Sequence, residues 1–478
     1  MVAPGHVVVV GGGIAGLAAA WFLHRDGPAG LRVTVLEQSP QVGGKLRIGE
    51  LAGVPLDEGA ESLLLRRPEA VDLAREVGLG DELEDALTSS AAVWTRGAMH
   101  PLPAGTVMGV PGDLRPLAGT GLLTSRELAR IPLDAWLPRT RVREDVSVGR
   151  YVTARLGRAV LDRLVEPLLG GVYAGRADQL SLEATLPQLA PHVRRERSLM
   201  AAVRACRAES EAVDGAVFGA PRGGVGRLPL AVARSAGADI RTGVTVRELS
   251  RTPTGWRLTL GPTRDPEELL ADAVVLAVPA APAARLLRHE VPHAATELGQ
   301  VRYSSVAVVA LAFPAAAFPT PPQGSGFLVP PVDGRAVKAV TFSSCKWGWF
   351  AREAAGLVVV RASLGRAGEE AVLQRDDPEL VDLALADLTD ALGVTDPPVD
   401  ARVTRWGGGL PQYAVGHRTR VERVRTAVAA VPGLAVCGAA YDGVGIPACV
   451  ATAGRAAREV LRQWTGERPV PAHAPEGP

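Results

Sequence analysis

The stretch from Val7 to Lys45 constrains this chain more than any other. It reads VVVVGGGIAGLAAAWFLHRDGPAGLRVTVLEQSPQVGGK. Val7 to Val10 form an all-apolar, β-branched run, which suits a strand covered on both faces. Gly11, Gly13 and Gly16 follow in the order G-x-G-x-x-G, with Gly12 between the first two. Ile14 to His24 is rich in Ala and Leu and predicts a helix, which Gly27, Pro28 and Gly30 break. Val33 to Leu36 is a second apolar run that ends in Glu37. Strand, glycine turn, helix, strand and acid in this register predict a dinucleotide-binding βαβ unit. Gly11 permits the tight turn, Gly13 lets a pyrophosphate reach bare backbone, and Gly16 lets the helix lie close to the sheet. The start of the helix offers unpaired N–H groups and a partial positive charge to phosphate. Glu37 at the end of the second strand would accept hydrogen bonds from ribose hydroxyls and repel a 2′-phosphate, which argues against NADP.

The residues just beyond decide between dinucleotides. Gly43 and Gly44 form a second glycine pair, and Lys45 adds positive charge. Bare backbone here would let an extended pyrophosphate and ribityl chain come close. The stretch LEQSPQVGGK resembles the acid-x5-GG-basic extension of flavoprotein oxidases, which implies FAD rather than NAD.

Composition excludes several classes. The formal net charge is +1, so no global field attracts nucleic acid or an anionic membrane. Of the 52 basic residues only Lys45, Lys338 and Lys346 are lysines, which reads as a codon bias toward Arg. Cys206, Cys345, Cys437 and Cys449 are widely spaced with no C-x-x-C pair, and the eight histidines lack ligand spacing, so neither a metal site nor a disulfide framework is expected. The start carries no signal-peptide pattern and no apolar run reaches transmembrane length, so a cytoplasmic protein is expected.

The fold class expected is α/β: a discontinuous Rossmann-like domain with a mixed-sheet substrate domain and a helical subdomain. Residues 1–90, 211–285 and 406–465 would form the nucleotide domain, 91–210 a helical and substrate-binding insertion, and 286–405 the substrate domain, with 466–478 a disordered tail. Leu46 to Pro55 and Val93 to Val110 read as hairpins. Pro68 opens an amphipathic helix. In the insertion, Pro167, Gly170 and Gly171 would end a helical run, and Asp178 and Ser181 would cap the next helix. Near the C-terminus, Leu434 to Cys437 is a strand, Gly438, Gly443 and Gly445 form an open loop, and a helix runs from Ala448 to Leu461. Its N-terminus would aim N–H donors at the edge of a flavin ring.

With these motifs in hand, the chain resembles the FAD-dependent protoporphyrinogen and coproporphyrinogen oxidases, and most of all the coproporphyrinogen III type of Gram-positive bacteria. The segments that carry the resemblance are GGGIAGLAAAW, LEQSPQVGGK, DEGAES, EPLLGGVYAGRADQLSLEATLP, PRGGVGRLP, RWGGGLPQYAVGH and YDGVGIPACVATAGRAA. The resemblance implies non-covalent FAD held by Gly11, Gly12, Gly13, Ile14, Ala15, Gly16, Glu37, Gln38, Gly44 and Lys45. It adds Gly59, Ala60, Glu61 and Ser62 on the next turn, Val246 beside the adenine-side ribose or base, Trp406 near the flavin, and Gly438, Val444, Gly445 and Ile446 along its ring. Cys437 and Cys449 are expected to be buried thiols rather than flavin attachment points.

The reaction so implied removes electron pairs from a porphyrinogen, with O2 as acceptor and H2O2 as product, and allows a transient contact with ferrochelatase. The pyrrole nitrogens activate the substrate, so no catalytic base is assigned, and Glu61 is only a weak candidate. Substrate carboxylates would meet Arg67 first, then Arg66 and Arg176, because guanidinium grips a carboxylate bidentately. Tyr173 and Tyr413 would line the pocket or the core. Three other readings stay open. Protoporphyrinogen oxidation is one. Amine oxidation, with Trp406 and Tyr441 as an aromatic pair facing the flavin, is another. The third is a non-catalytic flavin-binding protein that hands porphyrin on.

Overall fold

The structure, a computed structural model, describes residues 5–140, 142, 144–210 and 215–465. The expected disordered tail lies outside the described residues. The first motif forms the centre of a five-stranded sheet in the order Asp239–Arg241, Arg32–Leu36, His6–Val10, Ala273–Leu276, Leu434–Val436. Every neighbouring pair is parallel. Valines 7 to 10 alternate between two cores, as the two-residue period of a strand requires. Val7 and Val9 pack with the helices Ile14–Asp26 and Ile446–Thr465. Val8 and Val10 pack with Trp256, Leu276 and Tyr441 on the other face. Leu17 and Leu23 are fully buried, and truncating either to Ala would cost about 2–5 kcal/mol.

A second sheet of seven strands stands beside the first. Its order is Asp400–Pro411, Tyr303–Pro314, Leu357–Leu364, Val337–Phe342, Gly326–Leu328, Ala92–Thr95, Ala98–Pro101. Its long strand Tyr303–Pro314 also alternates. Ala307, Val309, Leu311 and Phe313 face the core shared with the helix Asp377–Leu392. That helix starts on a reciprocal capping box between Asp376 and Glu379 and stops at Gly393, with φ +70°. Val306 and Val308 point the other way, into the cavity described below.

Several expectations change. Val93 to Val110 is two hairpins: Ala92–Thr95 with Ala98–Pro101, and Thr106–Val107 with Val110–Pro111. The first joins the seven-stranded sheet by pairing with Gly326–Leu328, so the insertion 91–210 is not one helical unit. The boundary at 285/286 falls inside the helix Ala280–Leu287, and that at 405/406 inside the strand Asp400–Pro411. The pairing of Ala92–Thr95 with Gly326–Leu328 joins residues more than 200 positions apart, which no local pattern encodes. Pro167 does not end the helical run. A π-helical turn, Leu161–Val165, precedes it, and the helix Glu166–Tyr173 continues through Gly170 and Gly171 to Ala174 at φ +50°. Ser181 caps the next helix by accepting from the Ala184 N–H at 2.9 Å, whereas the Asp178 carboxylate goes to Arg158.

Candidate functional site

A cavity of about 540 Å³ opens where the parallel sheet, the seven-stranded sheet and the helix Glu166–Tyr173 meet. Its first wall is the glycine turn. Gly11 has φ +110°, and a Cβ there would sit 2.7 Å from the Ala277 carbonyl oxygen. A Cβ at Gly16 would be 1.9 Å from the Gly11 oxygen, so this position fixes the approach of helix to turn. At Gly13, by contrast, a Cβ would meet nothing within 4 Å. Gly13 is also the cap residue of the helix Ile14–Asp26, and no side chain caps it. Bare backbone and the first-turn N–H groups of Ile14 and Ala15 therefore face open space. This is the geometry that receives a phosphate.

Glu37 lies at the rim of that turn. Its Oε2 accepts from the Gly12 N–H at 2.6 Å, and its Oε1 accepts from the Ser39 N–H at 2.7 Å and from the Ser39 hydroxyl. The carboxylate is thus fixed, with lone pairs left for a ribose diol. Gly43, at φ +110°, donates its N–H to the Gly12 oxygen at 2.8 Å. Gly44 and Lys45 continue along the cavity, and burial holds the Lys45 ammonium below its ordinary pKa.

The opposite edge is built around Trp406. Its indole N–H donates to the Glu58 carbonyl at 3.0 Å, and the Arg47 guanidinium covers its ring at 5.2 Å. Gly59 beside it cannot carry a side chain, because a Cβ would be 2.0 Å from the Lys45 oxygen and 3.3 Å from the Trp406 ring. The helix Ile446–Thr465 closes the site. It begins at Ile446 with Pro447 in its first turn, and Gly438, at φ +117°, donates its N–H to Thr452 Oγ1 at 2.9 Å.

Fifteen of the residues expected to hold the cofactor line this one cavity. They are Gly11, Gly13, Ile14, Ala15, Glu37, Gln38, Gly44, Lys45, Gly59, Ala60, Val246, Trp406, Gly438, Val444 and Ile446. Gly12 and Gly16 lie behind the wall, one holding Glu37 and the other the helix. Gly445 accepts a hydrogen bond from the Cys449 N–H at 3.1 Å. Cys449 also lines the cavity, with its thiol pushed up to about 11 by burial. Cys437 is fully buried beneath.

Other expected contacts lie elsewhere. Glu61 is not in the cavity wall. It accepts from Lys346 Nζ at 2.7 Å, Arg361 Nη1 at 2.5 Å and Ser343 Oγ at 3.2 Å. Burial would raise its pKa, but Lys346 and Arg361 overcome that and hold it at about 2. A carboxylate so held is no base. The Ser62 hydroxyl is part of the same cluster, 3.4 Å from Lys346 Nζ. Arg66 and Arg67 are exposed, and Arg67 pairs with Glu69. Arg176 pairs with Glu369 and lies 4.0 Å from Glu166. None of the three arginines lines the cavity; Arg67 and Arg176 are taken by carboxylates, and Arg66 is exposed. Tyr173 and Tyr413 meet in the helical core with ring centroids 5.6 Å apart and planes tilted by 56°, and the Tyr413 hydroxyl donates to the Ala439 carbonyl at 2.6 Å. Tyr441 is buried in the core beneath the parallel sheet, so it forms no pair with Trp406 across the cavity.

The cavity also holds residues that the sequence reading did not assign to a site: Val306, Val308, Ser363 and Lys338 on the seven-stranded sheet, and Gly171 and Val172 on the helix Glu166–Tyr173. The one available signal was a lone lysine, AVKAVTF, in an otherwise apolar strand of a chain with only three. Among the described residues no group of His, Cys, Asp and Glu could hold a metal ion, and no helix is long and apolar enough to cross a membrane.

The sequence profile of the flavin-containing amine oxidoreductases matches residues 14–461. The chain is 34% identical over 457 residues to the coproporphyrinogen III oxidase of Bacillus subtilis, covering 93% of this chain and 95% of that protein. It is 38% identical over 465 residues to the coproporphyrinogen III oxidase of Mycobacterium tuberculosis, covering 96% and 98%. A solved structure from Exiguobacterium, a candidate protoporphyrinogen oxidase, superposes with a TM-score of 0.84 at 33% identity, over 96% of this chain and 99% of that one. Cyclohexylamine oxidase from Brevibacterium oxydans shares the fold, with a TM-score of 0.70 at 16% identity, over 97% of this chain and 100% of that one.

Proposed function

We propose, since the chain belongs to the flavin-containing amine oxidoreductase family and groups there with the coproporphyrinogen III oxidases, that it oxidises coproporphyrinogen III to coproporphyrin III in heme biosynthesis. On this reading it uses non-covalent FAD and passes the electrons to O2, giving H2O2. The observation that carries it is the single cavity in which a bare-backbone turn, a fixed acid and Lys45 meet an apolar floor.

The residues present fit the cofactor. Gly13 and the N–H groups of Ile14 and Ala15 receive the diphosphate, and Glu37 receives the adenosine ribose. Lys45 offsets phosphate charge. Trp406, Val444 and Ile446 flank the ring system. Bound FAD supplies a two-electron acceptor for a hydride from the substrate's bridging carbon. The protein's share is modest: Val306, Val308 and Leu410 form an apolar surface that orients a flat macrocycle and excludes water. The Glu61 carboxylate, paired with two cations, takes no part. The amine-oxidase reading loses its aromatic pair, since Tyr441 lies outside the cavity.

The test uses the purified yellow protein. Acid precipitation should leave all the flavin in the supernatant. Coproporphyrinogen III and protoporphyrinogen IX are then assayed side by side in air, following porphyrin fluorescence and H2O2. Faster turnover of the four-propionate substrate is expected. Oxidation of neither above the spontaneous rate would remove the proposed function while leaving the fold.

A further inference from the structure

The floor of the cavity crosses the seven-stranded sheet in a fixed order. Trp406 pairs with Val306 across two strands, Val308 with Ser363, and Ser363 with Ala339. Lys338 is the extra residue of a bulge between Val337 and Ala339, directly beside Ser363. A bulge re-aims a side chain that regular pairing would point elsewhere. The path from the Trp406 strand to the Lys338 strand is three strand spacings, about 14 Å.

Lys338 is 5% exposed, and its Nζ donates to the Gly365 carbonyl at 2.8 Å. Among the described residues it has no carboxylate partner. Behind it Arg366, also buried, donates to the carbonyls of Arg335, Val329 and Val337 at 3.0 to 3.3 Å. Burial, and then the Arg366 charge, lower the Lys338 pKa to about 7. An ammonium buried without an anion is costly, and such groups concentrate at functional sites. Two of its three donors are free, and Ser363 lines the same space. Lys338 and Ser363 at the far end of an apolar floor form a receptor for a carboxylate, with Arg366 behind them, outside the cavity wall and 3.6 Å from Glu369. Their distance from Trp406 suits a peripheral substituent of a flat ligand rather than its reacting carbon.

We propose that Lys338, backed by Arg366, binds a carboxylate side chain of the substrate and so selects porphyrinogens that carry acidic groups at that edge. The proposal rests on the function proposed above and moves the carboxylate contact from Arg67 to a residue on the sheet.

The test compares the parent holoprotein with Lys338→Met and Lys338→Arg. The probes are coproporphyrin III and its tetramethyl ester, with binding read from quenching of porphyrin fluorescence. Lys338→Met should bind the free acid about 10- to 100-fold more weakly, the range expected for losing a hydrogen bond to a charged group. It should bind the ester as the parent does, with flavin content and visible spectrum unchanged. Lys338→Arg should keep most of the affinity for the acid. Unchanged affinity of Lys338→Met for the acid would overturn the proposal, and so would an equal loss for acid and ester, which would mark Lys338 as packing. Failure of the parent itself to bind or oxidise any porphyrin species would instead overturn the function on which the proposal rests.

Discussion

Replacing Glu61 with Gln separates a structural carboxylate from a cofactor contact. Glu61 stands on the turn after the first hairpin, Arg361 on the seven-stranded sheet and Lys346 on the helix Ser343–Lys346 beside it, so the cluster ties that turn to the seven-stranded sheet. All three side chains are nearly buried, at 11%, 12% and 7% exposed. The fall of the Glu61 pKa from 4.5 to about 2 corresponds to about 3 kcal/mol of native-state stabilisation. Removing the charge also leaves two cations buried without a partner, which is the expensive way to break such a pair. Unfolding entropy of about 2 cal/mol/K per residue, taken over a chain of this length, converts that into a fall of about 3 °C in melting temperature. Because the folded pKa lies below the unfolded one, the stabilisation is complete above pH 4.5 and disappears as pH falls through about 2. The difference between parent and Glu61→Gln should therefore be constant from neutral pH to about 5 and shrink below 4.5. A Glu61→Gln/Lys346→Met double variant should lose less than the sum of the single losses. The assay is thermal unfolding across pH, with flavin content measured in parallel. A variant that melts within about 1 °C of the parent at pH 7 but loses its flavin would refute this account and return Glu61 to the cofactor.

Three further outcomes are expected. Gly13→Ala should fold, since its Cβ meets no protein atom, yet lose at least about tenfold in flavin affinity, read from absorbance of the purified protein with the apo-protein melting point as control. His417 is buried, stacks on Tyr413 at 4.0 Å and bonds the Tyr441 carbonyl through Nε2 at 2.9 Å. Burial lowers its pKa from 6.5 to about 4, so the unfolded chain binds the extra proton first; stability should fall by about 3 kcal/mol as pH drops from 6.5 through 4, and His417→Gln should flatten that slope in urea titrations. Arg67→Ala should change KM for coproporphyrinogen III by less than about twofold, since an exposed pair with Glu69 contributes little.

The cavity wall at the glycine turn was legible because its rules are local. Gly11, Gly13 and Gly16 are spaced by the backbone they serve, and Glu37 follows from the length of one helix and one strand. The cavity floor was not. It comes from four strands that meet only in the folded sheet, so Val306, Ser363 and Lys338 carry no shared pattern along the chain. Arg67 is attractive by its place in sequence, just past the turn Gly59 to Ser62. Its side chain instead finds Glu69, two residues further on. Glu61 shows the same limit from the other side: an acid beside a cofactor motif can belong to a partner nearly three hundred residues away.

The three lysines of this chain have a practical consequence. Lys45 and Lys338 line the cavity and Lys346 sits in the Glu61 cluster, so no lysine amine stands on the outer surface. Acylating reagents that modify dozens of sites on most proteins would here report almost solely on two interior places, the cavity and the Glu61 cluster. Peptide mapping after brief labelling would give three separate signals: Lys45 and Lys338 change when the cavity fills, and Lys346 changes when the Glu61 cluster opens.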